Sequence, residues 1–183
     1  MMIEYKRQTI HILFGLGIIS LIFLLGRDWA AIVVTLFMLF LVFYSTNESF
    51  FSSVKKFFIT SFERKGATNF NGAINYLVGC LIAITFTNNI NYSIVLIGVL
   101  AFGDGLSTVI GLNGTKKILW NSKKTMLGTL AFVTSAFIVS SIFLNLYQAV
   151  VLSIFLGFIE TLSLFYDDNL LIPIFGVMLL SVI

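Results

Sequence analysis

Residues 92–129 read YSIVLIGVLAFGDGLSTVIGLNGTKKILWNSKKTMLGT, and their pattern decides how the chain is arranged. Residues 92–111 are apolar and long enough for a helix that crosses a lipid bilayer, yet Asp104 stands inside them between Gly103 and Gly105. A carboxylate at membrane depth costs on the order of 3 kcal/mol on insertion scales, so it faces a polar interior and has partners. Beyond it come Ser107, Gly111, Gly114, the lysines 116, 117, 123 and 124, then Thr125 and Gly128. Carboxylate, glycines and lysines in that order point to a metal–phosphate site at a membrane surface.

The rest of the chain supports a membrane setting. Of its 183 residues 58% are hydrophobic and 10% are charged, and the mean hydropathy is +1.04. Such a composition excludes a disordered chain and a nucleic-acid binder, and is too apolar for an ordinary soluble domain. The pI near 9.1 reflects basic residues in short loops between apolar runs, which membrane topology explains. Cys80 is the single cysteine and lies in an apolar run, so it reads as a buried thiol with no intrachain disulfide.

Seven candidate spans follow: 11–26, 29–44, 73–87, 92–111, 127–144, 148–165 and 170–183. The expected fold is an all-α membrane bundle of about seven helices, forming one domain over 1–183. Lys6 and Arg7, then Lys55, Lys56, Arg64 and Lys65, then Lys116, Lys117, Lys123 and Lys124 fall on one side, and Arg27 on the other. The positive-inside rule then sets the N-terminus in the cytoplasm and the C-terminus outside. The first span lacks a small-residue cleavage site and is not read as a signal peptide. Residues 48–62 (ESFFSSVKKFFITSF) read as an amphipathic helix in the cytoplasmic interface, either a plain connector or a border of a lipid path.

The same topology gathers the acids. Glu4, Asp104, Glu160, Asp167 and Asp168 fall at the cytoplasmic side, and Asp28 at the other. Carboxylates would repel a nucleotide unless a hard cation stood between them, and oxygen-ligated Mg²⁺ is the ordinary solution. The expected metal ligands are therefore Asp104, Glu160, Asp167 and Asp168. Lys124 is the foremost candidate for direct phosphate contact, with Lys123 and Arg7 behind it. Gly103, Gly105, Gly111, Gly114 and Gly128 would let backbone N–H groups approach phosphate, and the Gly103–Gly105 pair would interrupt the helix. Glu4, Arg7, His11 and Gly15 recur at spacings of three and four, so one helix face presents them together. Arg64 is either a phosphate contact or a topology anchor.

Four ordered pieces together resemble the membrane-embedded polyprenol kinases, a family that takes in dolichol kinase, phytol kinase and CTP-dependent diacylglycerol kinases. They are Glu4-x-Lys-Arg7-x₃-His11-x₃-Gly15, Gly103-Asp104-x₂-Ser107-x₃-Gly111-x₂-Gly114, Lys124-Thr125-x₂-Gly128-Thr129, and Glu160 followed by Asp167-Asp168-Asn169-Leu170-x₂-Pro173. The similarity extends over nearly the whole chain and is to the compact catalytic part of the larger eukaryotic enzymes. It implies a Mg²⁺-dependent kinase that uses CTP to phosphorylate a membrane lipid alcohol. Asp104, Glu160, Asp167, Asp168 and Lys124 would then be catalytic. Glu4, Arg7, His11, Ser107, Lys123, Thr125, Asn169 and the glycines would bind the nucleotide.

The middle pieces are also similar to phosphatidate cytidylyltransferases, whose SPKKTxEG pattern meets Ser122-Lys123-Lys124-Thr125-Met126-Leu127-Gly128 without its proline and glutamate. Asp167-Asp168 favours the kinase branch. A non-enzymatic transporter is the remaining alternative, but it would not require the KKTxxG run beside a carboxylate cluster.

Overall fold

The computed structural model describes residues 2–46, 70–162 and 167–183. The amphipathic stretch 48–62 and Arg64 lie outside them. The fold is helical: α1 (Met2–Leu25), α2 (Arg27–Thr46), α3 (Asn71–Thr85), α4 (Ile90–Gly98), a π-helical turn (Val99–Asp104), α5 (Gly105–Gly111), α6 (Met126–Phe143), α7 (Leu146–Thr161) and α8 (Asp168–Leu180). A short antiparallel hairpin of β1 (Lys117–Ile118) and β2 (Asn121–Thr125) joins α5 to α6. Each of the seven apolar runs read from the sequence overlaps a helix, with α4, the π turn and α5 forming a single run; residues 163–165 of the sixth run lie outside the described residues.

Local chemistry sets the boundaries. Gly26 adopts φ 83°, a left-handed turn that ends α1 so that α2 begins at the next residue. Asn89, Thr125, Asn145 and Asp167 cap α4, α6, α7 and α8, each accepting a backbone N–H with its side chain. Pro173 lies inside α8 and has no N–H for the carbonyl of Asn169 four residues before it. At that same carbonyl α3 presents Gly79, where any Cβ would collide with it. The two helices cross backbone to backbone, the close approach that small residues allow where helices pack in lipid.

The α4–α5 run is the axis of the bundle. Val95, Leu96, Ile97, Val99, Leu100 and Ala101 are wholly buried, and α1, α3, α6 and α8 pack around the run they form. Large apolar side chains also face outward: Phe23, Leu24, Leu36, Phe40, Phe43, Ile138 and Ile142 are all exposed. Four helices, Glu4–Leu25, Arg27–Thr46, Ile90–Gly111 and Met126–Phe143, are long and apolar enough to cross a membrane.

One expectation is overturned here. Gly103 and Gly105 do not break the helix. The backbone passes through them without interruption, widened into a π turn that ends on Asp104. Gly103 lies against the ring of Phe132 and Gly105 against Ile12, so these glycines admit neighbouring side chains. π turns inside helices recur at functional sites.

Candidate active site

A cavity of about 650 Å³ opens where the hairpin meets the ends of α1, α5, α6, α7 and α8. Its charged lining consists of Glu4, Asp104, Glu160, Asp167 and Asp168 against Arg7, Lys123 and Lys124. Ser107, Gly111, Thr125 and Gly128 also line it. Residues from both ends of the chain therefore meet in one place.

Lys124 is at its centre. β2 carries the side chain inward, and Nζ donates to Glu160 Oε1 at 2.5 Å and to Asp168 Oδ2 at 2.7 Å. Glu160 is only 2% exposed, a burial that a carboxylate tolerates when it is paired and hydrogen-bonded. Ser107 Oγ and Thr129 Oγ1 each lie 3.4 Å from one of its oxygens. Burial pushes the Lys124 ammonium down, but Asp168 and Glu160 outweigh that and hold it above the usual lysine range. Burial pushes the Asp168 carboxyl up to about 6, against the pull of Lys124. The lysine thus stands as the resident counter-ion of two acids.

The other acids differ in their attachments. Asp104, at the end of the π turn, is 3.8 Å from His11 Nε2 and has no lysine or arginine paired with it among the described residues. Asp167 spends one oxygen on capping α8, accepting Asn169 N–H at 3.0 Å. Glu4 is paired with Arg7, whose Nε donates to it at 3.1 Å.

Several expected ligands are placed elsewhere. His11 does not line the cavity; its Nε2 donates to the carbonyl of Leu100 in the π turn at 3.2 Å, and its ring lies 4.1 Å from that of Tyr76. Gly15, on the same face, packs against Ala101 and Tyr76. Asn169 is buried in α8 outside the cavity, and its Oδ1 has no partner among the described residues. Gly103, Gly105 and Gly114 are likewise outside the lining.

The glycines at the end of α5 and beyond it make room for Thr125. A Cβ at Gly111, Gly114 or Gly128 would press on its side chain. Thr125 Oγ1 donates to the carbonyl of Gly111 and accepts the N–H of Gly128, both at 3.1 Å. That N–H is therefore engaged in the cap. Thr125→Val keeps the shape and loses both bonds, so we expect a loss of roughly 1–3 kcal/mol, checked by thermal unfolding in detergent.

Oxygen donors suit a hard cation, and five carboxylates against three cationic side chains leave the cavity formally short of positive charge. Among the described residues, however, no three acidic, imidazole or thiol groups stand close enough together to hold a metal. Lys124 separates Glu160 from Asp168.

Other contacts carried no recognisable signal in sequence. Trp120 Nε1 donates to Thr161 Oγ1 and Asn121 Nδ2 to the Thr161 carbonyl, both at 3.1 Å, fastening the hairpin to the end of α7 one residue past Glu160. The alternation that marks a strand is too short here to be read.

Fold and cavity thus define an all-helical protein, with helices able to cross a membrane and a charged cavity at one end. Over 172 residues the chain is 28% identical to an uncharacterized protein of Methanocaldococcus jannaschii, a match covering 93% of this chain and 88% of that protein. No protein-family model matches the chain, and no solved structure matches it.

Proposed function

We propose that the chain is a multi-pass membrane kinase that transfers the γ-phosphoryl group of CTP to the hydroxyl of a polyprenol-type lipid such as dolichol, phytol or a geranylgeraniol-like alcohol. The observation that carries it is the Lys124 ammonium bridging Glu160 and Asp168 in a cavity that also takes in Asp104, Lys123 and Arg7. Nucleotide phosphates need cationic groups in a site otherwise rich in acids, and this cavity supplies both.

The membrane setting rests on the apolar outward surface and on loop charge. Lys6, Arg7, Lys116, Lys117, Lys123 and Lys124 are assigned to the cytoplasmic side and Arg27 to the other, which gives seven crossings with the N-terminus inside. The lipid tail then stays in the bilayer while its hydroxyl meets aqueous nucleotide at the cavity.

Phosphoryl transfer asks little covalent chemistry of the protein and much positioning and charge neutralisation. Because no three metal-binding groups among the described residues stand close enough together to hold a metal by themselves, one or two of Glu160, Asp167 and Asp168 would hold Mg²⁺ that enters with the nucleotide, where it would offset phosphate charge. Lys124 exchanges its carboxylate partners for the phosphate oxygens, with Lys123 and Arg7 contributing further positive charge. Asp104, free of a cationic partner within the cavity, orients the lipid hydroxyl and receives its proton. The hydroxyl oxygen bonds to the γ-phosphorus as the bond to the β–γ bridging oxygen breaks, and CDP leaves.

Purified protein with Mg²⁺, a set of nucleotides and a set of lipid alcohols and phosphatidate tests this. CDP and a lipid monophosphate are the expected products. Pyrophosphate and a CDP-lipid would assign the site to the cytidylyltransferase alternative.

A further inference from the structure

The hairpin that brings Lys124 into the cavity, and whose Trp120 borders that cavity, also carries an exposed apolar turn that phosphoryl transfer does not explain. At its turn Leu119 is 97% exposed and Trp120 is 56% exposed. Lys116, Lys117 and Lys123 are exposed around them. An apolar tip ringed by lysines is a poor surface to leave in water, and it matches the chemistry of an anionic lipid interface.

Its position agrees with that chemistry. The Trp120 and Asn121 bonds to Thr161 hold the hairpin against the last residue of α7. On α7, Val150, Ile154 and Phe158 are exposed at intervals of four residues, and the same helix face comes round again at residues 161–162. The tip therefore sits at the head of an outward apolar stripe. Its indole N–H is already satisfied by Thr161, and although Trp120 borders the cavity, the exposed part of its side chain can lie among lipid groups.

We propose that the hairpin tip docks into the headgroup layer of the surrounding bilayer, with Leu119 and Trp120 among the upper acyl chains and Lys116 and Lys117 on anionic headgroups. This rests on the membrane setting proposed above and not on phosphoryl transfer. Because β2 runs from the tip directly to Lys124, the lipid surface then helps to fix where the central lysine stands.

Trp29 and Trp120 are the chain's two tryptophans, so Trp29→Phe leaves Trp120 as the reporter. The variant is reconstituted into vesicles of phosphatidylcholine and phosphatidylglycerol, with the phosphatidylcholine brominated either high or low on its acyl chains. Expected are a blue-shifted emission, stronger quenching by the high bromines than by the low ones, and protection from iodide. Quenching should fall severalfold in vesicles of phosphatidylcholine alone, and likewise when Lys116→Gln and Lys117→Gln are added. Emission open to iodide and indifferent to bromine at either depth would overturn the proposal; quenching that ignores lipid charge would overturn its choice of anionic partner. A Leu119→Cys chain with a polarity-sensitive label gives a second readout should the tryptophan variant lose its helical signal. Neither readout depends on turnover, so a chain inactive as a kinase would still decide the question.

Discussion

Lys124→Ala is expected to reduce turnover by about 10²–10³-fold or more, the range found when a single group stabilising transition-state charge is removed. The same change leaves Glu160 buried and Asp168 half-buried without the ammonium that lies 2.5 Å from one and 2.7 Å from the other. Breaking a buried pair in this way costs about 3–5 kcal/mol, so a lower unfolding temperature in detergent should accompany the lost activity. Lys124→Arg separates the two effects. It restores the charge and much of the stability, but a planar fork does not reproduce a compact ammonium, and turnover should recover only in part. A Lys124→Ala protein that turns over at the normal rate would remove this residue from the site.

Asp104→Asn should have an effect of comparable size with a different signature. The substitution keeps the shape, and no Lys or Arg side chain is paired with this carboxylate among the described residues, so the fold should tolerate it. Loss of a positioned proton acceptor lowers the rate by about 10²–10⁴-fold. The expected outcome is near-normal unfolding and nearly unchanged nucleotide affinity with turnover almost gone, read from melting curves, equilibrium nucleotide binding and product formation on one preparation. Normal turnover would move the proton-accepting role to another acid.

Much of the fold was legible because apolar run length is a strong physical signal. All seven runs overlap helices among the described residues, and the caps at Asn89, Thr125, Asn145 and Asp167 use residue types whose side chains accept backbone N–H groups. The gathering of Glu4, Arg7, Asp104, Lys124, Glu160 and Asp168 around one cavity follows the order in which loop charges alternate along the chain. What sequence did not disclose was how backbone and neighbours use each residue. Gly103 and Gly105 read as a helix break, but the helix absorbs them by widening into a π turn, which has no compositional mark. Gly111, Gly114 and Gly128 read as a phosphate cradle; Gly111 and Gly128 line the cavity, and all three also make room for Thr125, a packing role the sequence did not show. His11 lies on the expected helix face but turns to the Leu100 carbonyl, a partner defined only once α1 packs on the central helix. Lys124 was expected to meet phosphate; its pairing with acids 36 and 44 residues away depends on a hairpin too short to show a strand period.

The most direct test follows the phosphorus. Purified protein in lipid, with Mg²⁺ and a polyprenol, is given CTP labelled at the γ-phosphorus in one reaction and at the α-phosphorus in another. The proposed kinase places the γ-label on the lipid and leaves the α-label in CDP. An α-label carried into the lipid fraction, or no label from either position under conditions where the nucleotide binds, would contradict it.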